Sequence, residues 1–150
     1  MVASRNGLAP PRSYPEVVAL RCLIVDDNPG FLHAARALLE QEGIRVVGIA
    51  SSPAEAVQRA TELHPDVTLL DIDLGADSGF DLARQLVAEP RTNPGHLVVL
   101  SAYSEDEFLD LIEASPVIGF VRKSALSAEA IDQLLRAVGD GYRRGETPGP

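Results

Sequence analysis

Residues 69–75, Leu-Leu-Asp-Ile-Asp-Leu-Gly, are the stretch that decides the fold of this chain. The apolar run from Val67 to Leu70 ends in the acid Asp71, and a glycine that favours a loop follows soon after. This pattern is typical of a buried parallel strand that delivers one side chain to the edge of a sheet. Because ligands of open α/β sheets bind just beyond the carboxyl ends of the strands, Asp71 is either a functional residue or a cap of the next loop.

The composition indicates one globular domain. A length of 150 residues is usual for a single domain, and a hydrophobic share of 45% is enough for a core. The net charge of −9 argues against a nucleic-acid-binding surface, which would need a basic patch. Cys22 is the single cysteine, which excludes an internal disulfide and fits a reducing compartment. Without an apolar run of roughly 18 residues or a secretory signal, we expect a cytoplasmic protein with no membrane contact.

Strand and helix patterns alternate five times along the chain. Two of the helices open with a capping residue followed by proline, at Asn28-Pro29 and Ser52-Pro53. Such alternation predicts an α/β fold with a parallel sheet, and right-handed crossovers favour the flavodoxin-like, doubly wound strand order 2-1-3-4-5 with five helices. The predicted strands are 19–25, 44–50, 67–71, 96–101 and 117–121, and residues 105–114 are predicted as a short helix.

The pattern also predicts the bounds of the folded part. The domain is expected over residues 18–139, between a flexible N-terminal extension over residues 1–17 and a flexible C-terminal tail over residues 140–150. The extension mixes polar residues with prolines and lacks periodicity, and the helical pattern of the last element fades from Gly139.

Polar side chains follow four of the predicted strands. They are Asp26 and Asp27 after the first, Asp71 after the third, Ser101 after the fourth and Lys123 after the fifth. In the predicted strand order these four strands are neighbours, so the side chains should converge at one edge of the sheet. Taken alone, Lys123 would by default be a solvated surface charge.

Clustered carboxylates indicate a cation site. Two unit charges about 4 Å apart repel by roughly 4 kcal/mol at an effective dielectric near 20, so either an acid is protonated or a cation intervenes. Carboxylate oxygens without histidine or cysteine ligands suit Mg²⁺ better than zinc. A lysine and a hydroxyl could bind phosphoryl oxygens, and a carboxylate such as Asp71 can itself accept a phosphoryl group.

In their order and spacing these residues resemble the receiver domain of bacterial two-component response regulators. The resemblance runs from about Leu20 to Val138. It implies that Asp71 accepts a phosphoryl group from a sensor histidine kinase or phosphotransfer protein, and that the protein loses this group slowly by itself without being a conventional enzyme. It also implies that Ser101 and Lys123 bind the phosphoryl oxygens.

The resemblance further implies a metal site and a switch. Asp26, Asp27 and Asp71 would hold Mg²⁺, Asp27 most directly, with the backbone carbonyl of Asp73 as a further ligand. Ser101 and Phe120 would form the switch, and the changed surface would lie near residues 105–121.

Two features depart from the family pattern. Gly75 stands where the loop after the acceptor usually has proline, which predicts a more mobile loop. Asp73 and Tyr103 occupy positions that in this family tune the lifetime of the phosphoryl group. Asp73 would either shorten that lifetime by repulsion or simply be solvated, whereas Tyr103 would shield the site from water.

Two other functions remain as alternatives at this point. One is a receiver-like binding module that is never phosphorylated. The other is an aspartate-nucleophile phosphohydrolase, because the pair Asp71 and Asp73 is similar to the nucleophile motif of the haloacid dehalogenase superfamily. That superfamily carries the motif on its first strand, whereas here Asp26 and Asp27 occupy the first strand end.

The output of the protein is also left open. Residues 119–126 resemble the end of receivers that carry a C-terminal helix-turn-helix domain. The partner is then either a downstream protein target of a stand-alone regulator or a helix-turn-helix output domain missing from this chain. Homodimer formation on phosphorylation is compatible with both, and no direct nucleic-acid binding is expected of this chain.

Overall fold

The computed structural model describes residues 19–146, with side chains over residues 19–139. The predicted extension over residues 1–17 lies outside the described residues, as do residues 147–150 of the predicted tail. The strands are β1 (Arg21–Val25), β2 (Arg45–Ala50), β3 (Val67–Asp71), β4 (Asp73–Leu74), β5 (Asp77–Ser78), β6 (His96–Ser101) and β7 (Gly119–Arg122). The α-helices are α1 (Pro29–Gln41), α2 (Pro53–Leu63), α3 (Gly79–Ala88), α4 (Leu109–Glu113) and α5 (Ala128–Glu146).

The main sheet is parallel and has the order β2-β1-β3-β6-β7. Since β6 and β7 are its fourth and fifth strands, this confirms the predicted order 2-1-3-4-5. The strand β3 lies at the centre, and each of its residues is buried. The residue that it delivers to the edge of the sheet, Asp71, therefore stands between the ends of its two neighbours, β1 and β6.

Two apolar clusters cover the two faces of the sheet. One cluster joins β-strand residues such as Ile24 and Leu69 to α1 and α5, and the other joins residues such as Val25 and Leu70 to α2 and α3. This alternation along β1 and β3 is expected when helices pack on both faces of a sheet.

Side-chain caps explain where the helices begin. Asn28 Oδ1 accepts a hydrogen bond from the backbone N–H of Phe31 at 3.2 Å, as predicted for α1. Ser52 caps α2 in the same way, through the N–H of Glu55 at 3.2 Å. Proline follows both caps at the first helical position, where its missing N–H has no cost.

Several element bounds differ from the sequence prediction, beginning with β1 and β2, which start at Arg21 and Arg45 rather than at residues 19 and 44. Residues 105–108 form a 3₁₀ helix without a side-chain cap, so the α-helix predicted over 105–114 is reduced to α4. The strand β7 begins at Gly119 rather than at residue 117, although Ile118 already donates a hydrogen bond to Leu97 O at 2.8 Å. Helix α5 passes residue 139 and continues to Glu146, so the glycine at position 139 does not end it.

The loop after Asp71 contains a small hairpin that the sequence analysis missed. The strands β4 and β5 pair antiparallel, with Asp73 opposite Ser78 and Leu74 opposite Asp77. Gly75 lies in the connecting turn with a φ of +73°, a conformation that glycine adopts without strain. The hairpin gives this loop a defined shape beside the sheet edge. Among residues 19–146, no helix is both long and apolar enough to cross a membrane.

Candidate functional site

Three carboxylates meet at the carboxyl edge of the sheet. Asp26 and Asp27 follow β1, and Asp71 ends the neighbouring β3, because the register places Val25 beside Leu70. One carboxylate oxygen from each acid lies within 4.8 Å of the other two. Asp26 is fully buried and Asp71 is 5% exposed, whereas Asp27 is open to solvent. The convergence expected from the strand order is therefore present.

Lys123 reaches into this acidic cluster from the end of β7. Its Nζ lies 2.6 Å from Asp26 Oδ2 and 3.3 Å from Asp71 Oδ2. The geometry at Asp26 Oδ2 is that of a close ion pair, since this buried oxygen has no well-aligned hydrogen-bond donor. Its other oxygen, Oδ1, accepts a hydrogen bond from the N–H of Asn28 at 2.8 Å. Both oxygens of Asp26 are therefore engaged, Oδ1 by a backbone N–H and Oδ2 by the lysine cation.

The electrostatics of the cluster shift two pKa values. Burial raises the pKa of Asp71 to about 6, and the negative charge of Asp26 adds to this, while Lys123 and the backbone N–H of Asp73 oppose it. Burial alone would lower the pKa of Lys123, but the close contact with Asp26 and the negative charges of Asp71 and Asp26 raise it. The lysine is thus held in its charged form beside the carboxylates.

The acids and the lysine line an open cleft of about 530 Å³. Ser101 lies in its wall and is 3% exposed, and its Oγ accepts a hydrogen bond from the N–H of Tyr103 at 2.9 Å. The Tyr103 side chain is 61% exposed at the rim, and Asp73 also lines the cleft. The cleft is therefore lined by the hydroxyl of Ser101, the ammonium of Lys123 and the three carboxylates.

The predicted switch residue Phe120 lies outside this cleft. It borders a separate groove between β7 and α5, together with Ser104 and Arg122. Phe108 connects the two places: it lines the acidic cleft, and its ring centroid is 6.2 Å from that of Phe120. Phe80 continues the aromatic contact on the other side, with a centroid 6.4 Å from that of Phe108. The sequence pattern does not predict this row of three rings.

Gly79 is a second residue whose importance the sequence analysis missed. Its N–H donates to Ile72 O at 2.8 Å, where α3 begins against the end of β3. An added Cβ at this position would lie 2.3 Å from the backbone oxygen of Asp71. The glycine therefore permits the close approach that fixes the backbone of Asp71. Its place directly after the cap Ser78, at a buried helix start, was the available signal.

The donor set fits a hard cation. The group of metal-binding side chains found among the described residues consists of three carboxylates, without histidine or cysteine. Oxygen donors of this kind suit Mg²⁺ better than zinc. The buried Oδ2 of Asp26 already pairs with one cation, the ammonium of Lys123, which agrees with this donor chemistry.

Comparison with known proteins identifies a family that matches most of this chain. The family model of the response regulator receiver domain matches residues 22–136. The transcriptional regulatory protein LiaR of Bacillus subtilis is 32% identical over 119 residues, which cover 79% of this chain and 56% of LiaR. The response regulator GacA of Pseudomonas viridiflava is 32% identical over 126 residues, which cover 83% of this chain and 57% of GacA. The chain spans slightly more than half the length of these curated relatives.

Solved structures show the same fold. A LuxR-family two-component response regulator from Aurantimonas superposes with a TM-score of 0.69 and 25% identity, over 83% of this chain and 87% of that chain. The receiver domain of a sensor histidine kinase from Pseudomonas aeruginosa gives a TM-score of 0.66 at 23% identity, over 81% of this chain and 99% of that chain. The latter structure has a magnesium ion coordinated in its active site cleft.

Proposed function

We propose that Asp71 accepts a phosphoryl group in two-component signalling, because this chain belongs to the family of response regulator receiver domains. The observation that carries the proposal is the approach of Lys123 Nζ to Asp71 Oδ2, at 3.3 Å, within a cluster of three acids. A phosphoryl group on Asp71 would thus lie close both to the ammonium of Lys123 and to the other two carboxylates. Phosphoryl transfer depends mainly on such positioning and on charge stabilisation.

The transfer forms a bond between a carboxylate oxygen of Asp71 and phosphorus. The bond from phosphorus to an imidazole nitrogen of the donor breaks, and the released imidazole takes a proton from solvent. The donor is the phosphohistidine of a sensor histidine kinase or of a phosphotransfer protein, in the cytoplasm. Asp71 must be ionised to attack, and a pKa of about 6 leaves it mostly ionised at neutral pH even without metal. Slow hydrolysis of the acyl phosphate returns the free acid.

The acids are suited to hold Mg²⁺ during this reaction. Bound Mg²⁺ would offset the charge of the carboxylates and of the phosphoryl oxygens. Asp26, Asp27 and Asp71 would be its side-chain ligands, with the backbone carbonyl of Asp73 as a further ligand. The convergence of these three carboxylates, with one oxygen of each within 4.8 Å of the others, supports this assignment.

Lys123 and Ser101 would bind the phosphoryl oxygens. Ser101 Oγ accepts its present hydrogen bond from the N–H of Tyr103, so its own O–H proton is free to be donated. Movement of Ser101 toward the phosphoryl group would be followed by Phe120, whose ring contacts Phe108 at the cleft. The surface that changes would then lie near residues 105–121.

The relatives support a proposal about the output of the chain. LiaR is named a transcriptional regulatory protein, and one structural relative is a LuxR-family regulator. We therefore propose either a helix-turn-helix output domain outside this chain or a separate downstream protein as the target of the switch. Homodimer formation on phosphorylation would fit the first arrangement.

Incubation with Mg²⁺ and acetyl phosphate is expected to add one phosphoryl group to the protein. The carboxylate cluster would supply both the acceptor and the metal site, so the adduct should be absent in EDTA. Intact-mass spectrometry measures it directly. Asp71→Asn is the control, because it keeps the size of the side chain but removes the nucleophilic oxygen charge.

An adduct of equal yield in Asp71→Asn would contradict the assignment of the acceptor. A folded wild-type protein that binds Mg²⁺ but gains no mass and releases no phosphate would instead favour the unphosphorylated binding module. Continuous release of phosphate without an adduct would favour a phosphohydrolase. The three outcomes are distinguished by measuring phosphate release in the same samples.

Replacement of Asp73 by Asn is expected to lengthen the life of the phosphoryl group several-fold. Asp73 lines the cleft two residues beyond the acceptor, and its charge repels the anionic phosphoryl group. Loss of the adduct with time after removal of acetyl phosphate, followed by intact mass, measures the lifetime. Asp77→Asn, on the partner strand of the hairpin but not in the cleft lining, is the matched control. Equal lifetimes for Asp73→Asn and wild type would reject a role for this charge.

A further inference from the structure

Three contacts hold the ammonium group of Lys123. Besides the two carboxylates, the ring of Phe31 lies under it, with Nζ 4.5 Å from the ring centroid. This distance is within the limit of about 6 Å for a cation–π interaction. The lysine side chain is only 21% exposed, and partial removal from water strengthens such an interaction.

The turn between β1 and α1 positions both the buried Asp26 and the ring of Phe31. Asp26 Oδ1 accepts from the N–H of Asn28 at 2.8 Å, and Asn28 Oδ1 accepts from the N–H of Phe31 at 3.2 Å. Pro29 fixes the backbone between them at the start of α1. The ring also packs against the apolar cluster below α1 and α5. Its orientation is therefore set by the fold rather than by Lys123.

We propose that Phe31 is a positioning residue for phosphoryl transfer, whose ring keeps the ammonium of Lys123 directed at the acceptor Asp71. This inference rests on the proposed function. The two carboxylates that contact the lysine are also proposed to hold Mg²⁺. In the phosphorylated protein, one carboxylate oxygen of Asp71 is bonded to phosphorus. The ring competes for neither, so its contact with the ammonium can persist when the carboxylates change partners.

The first test is an NMR measurement that does not depend on turnover. Protons above the face of an aromatic ring shift upfield, so the ε-methylene signal of Lys123 should be shifted in wild type and not in Phe31→Leu. The shift should remain when Mg²⁺ is added, and again when Mg²⁺ and beryllofluoride are added to mimic the phosphoryl group. A signal that returns to the ordinary lysine position in either state would overturn the proposal. Lys123→Met assigns the resonance.

The second test measures the rate of phosphorylation by acetyl phosphate in Mg²⁺. Phe31→Leu keeps an apolar side chain but removes the π face, and we expect a rate about three- to tenfold lower, as a partly desolvated cation–π contact predicts. Phenylalanine analogues with one, two and three ring fluorines at position 31 keep the shape while weakening the π face. Their rates should fall in that order. Equal rates across the fluorinated series would overturn the proposal, because a purely structural ring would give that result.

Two controls separate this role from others. In a Lys123→Met background the fluorinated series should have a uniform residual rate, since the ring then has no cation to hold. The affinity for Mg²⁺, measured by calorimetry, should be equal in wild type and Phe31→Leu. If wild type itself gains no phosphoryl group, both the proposed function and this inference are wrong. If wild type is phosphorylated but the fluorinated analogues all react at the same rate, only the role of Phe31 is overturned.

Discussion

Asp71→Asn is expected to stabilise the metal-free protein by up to about 3 kcal/mol at pH 8. Burial and the neighbouring charge of Asp26 raise the pKa of Asp71 from 3.8 to about 6 in the folded protein. A pKa difference of about two units between the folded and unfolded states corresponds to roughly 3 kcal/mol. The ionised carboxylate therefore opposes folding, and an uncharged amide of the same size removes that opposition.

The sign of the effect gives a pH dependence that can be tested. Between pH 4 and 6 the folded wild type binds more protons at Asp71 than the unfolded chain does, so its stability falls as the pH rises. The penalty is complete about one pH unit above the folded pKa and disappears about one unit below the unfolded value of 3.8. The difference in the free energy of unfolding between Asp71→Asn and wild type should therefore grow from pH 4.5 to pH 7.

Urea unfolding in EDTA, followed by circular dichroism at several pH values, measures this difference. Asp73→Asn removes a charge from an exposed acid two residues away and is expected to change stability little at any pH. A pH-independent difference between Asp71→Asn and wild type would contradict the raised pKa of Asp71. Added Mg²⁺ should stabilise wild type more than Asp71→Asn, since the variant has lost one proposed ligand.

The raised pKa of Asp71 links stability and the proposed function at this site. Burial and the charge of Asp26 make the ionised form of Asp71 unfavourable for folding, and Lys123 compensates only part of this cost. This cost is what makes a site ready to bind a metal and an incoming phosphoryl group. Strain of this electrostatic kind is expected at a functional site rather than in a structural core.

Much of the fold was predictable because its signals are local. The run that ends in Asp71, and the caps Asn28 and Ser52 followed by proline, indicate their elements within a few residues of sequence. The strand order followed from connection rules, and it brought Asp26 and Lys123 to the same edge. The acidic cluster is therefore predictable from the sequence alone.

The features that escaped prediction depend on contacts between distant parts of the chain. Strands of two residues, such as β4 and β5, carry no periodicity that a pattern can detect. The approach of Phe31 to Lys123 joins residues on α1 and after β7, and the sequence spacing does not reveal it. The need for glycine at position 79 also arises only when α3 is packed against the end of β3.

Gly79→Ala is expected to destabilise the protein by about 3 kcal/mol and to slow phosphorylation more than tenfold. The added Cβ would lie 2.3 Å from the backbone oxygen of Asp71, 2.9 Å from its carbonyl carbon and 3.0 Å from the Cα of Ile72. All three atoms belong to the backbone, so no side-chain rotation relieves the overlap and α3 must move away from β3. Helix propensity alone predicts the opposite sign, since alanine is better than glycine in a helix by about 1 kcal/mol.

The displaced backbone is that of the proposed acceptor, which is why the rate should fall along with the stability. A shift of about 1 Å at a reacting group can reduce a rate on the order of 10²-fold. Gly95→Ala is the matched control: its Cβ would lie 2.2 Å from the backbone oxygen of Asp66, just before the other end of β3, and its φ of +71° adds strain. This variant should lose comparable stability without slowing the reaction of the folded protein.

Urea unfolding gives the stabilities, and intact-mass time courses with acetyl phosphate give the rates, at a low temperature where both variants remain folded. Since the clash at position 79 lies next to the acceptor and that at position 95 lies at the far end of the same strand, the two variants separate loss of fold from loss of positioning. Equal rates in Gly79→Ala and Gly95→Ala would show that the contact of α3 with the end of β3 does not position Asp71. A slower reaction in Gly79→Ala alone would mean that this helix start holds the acceptor in place.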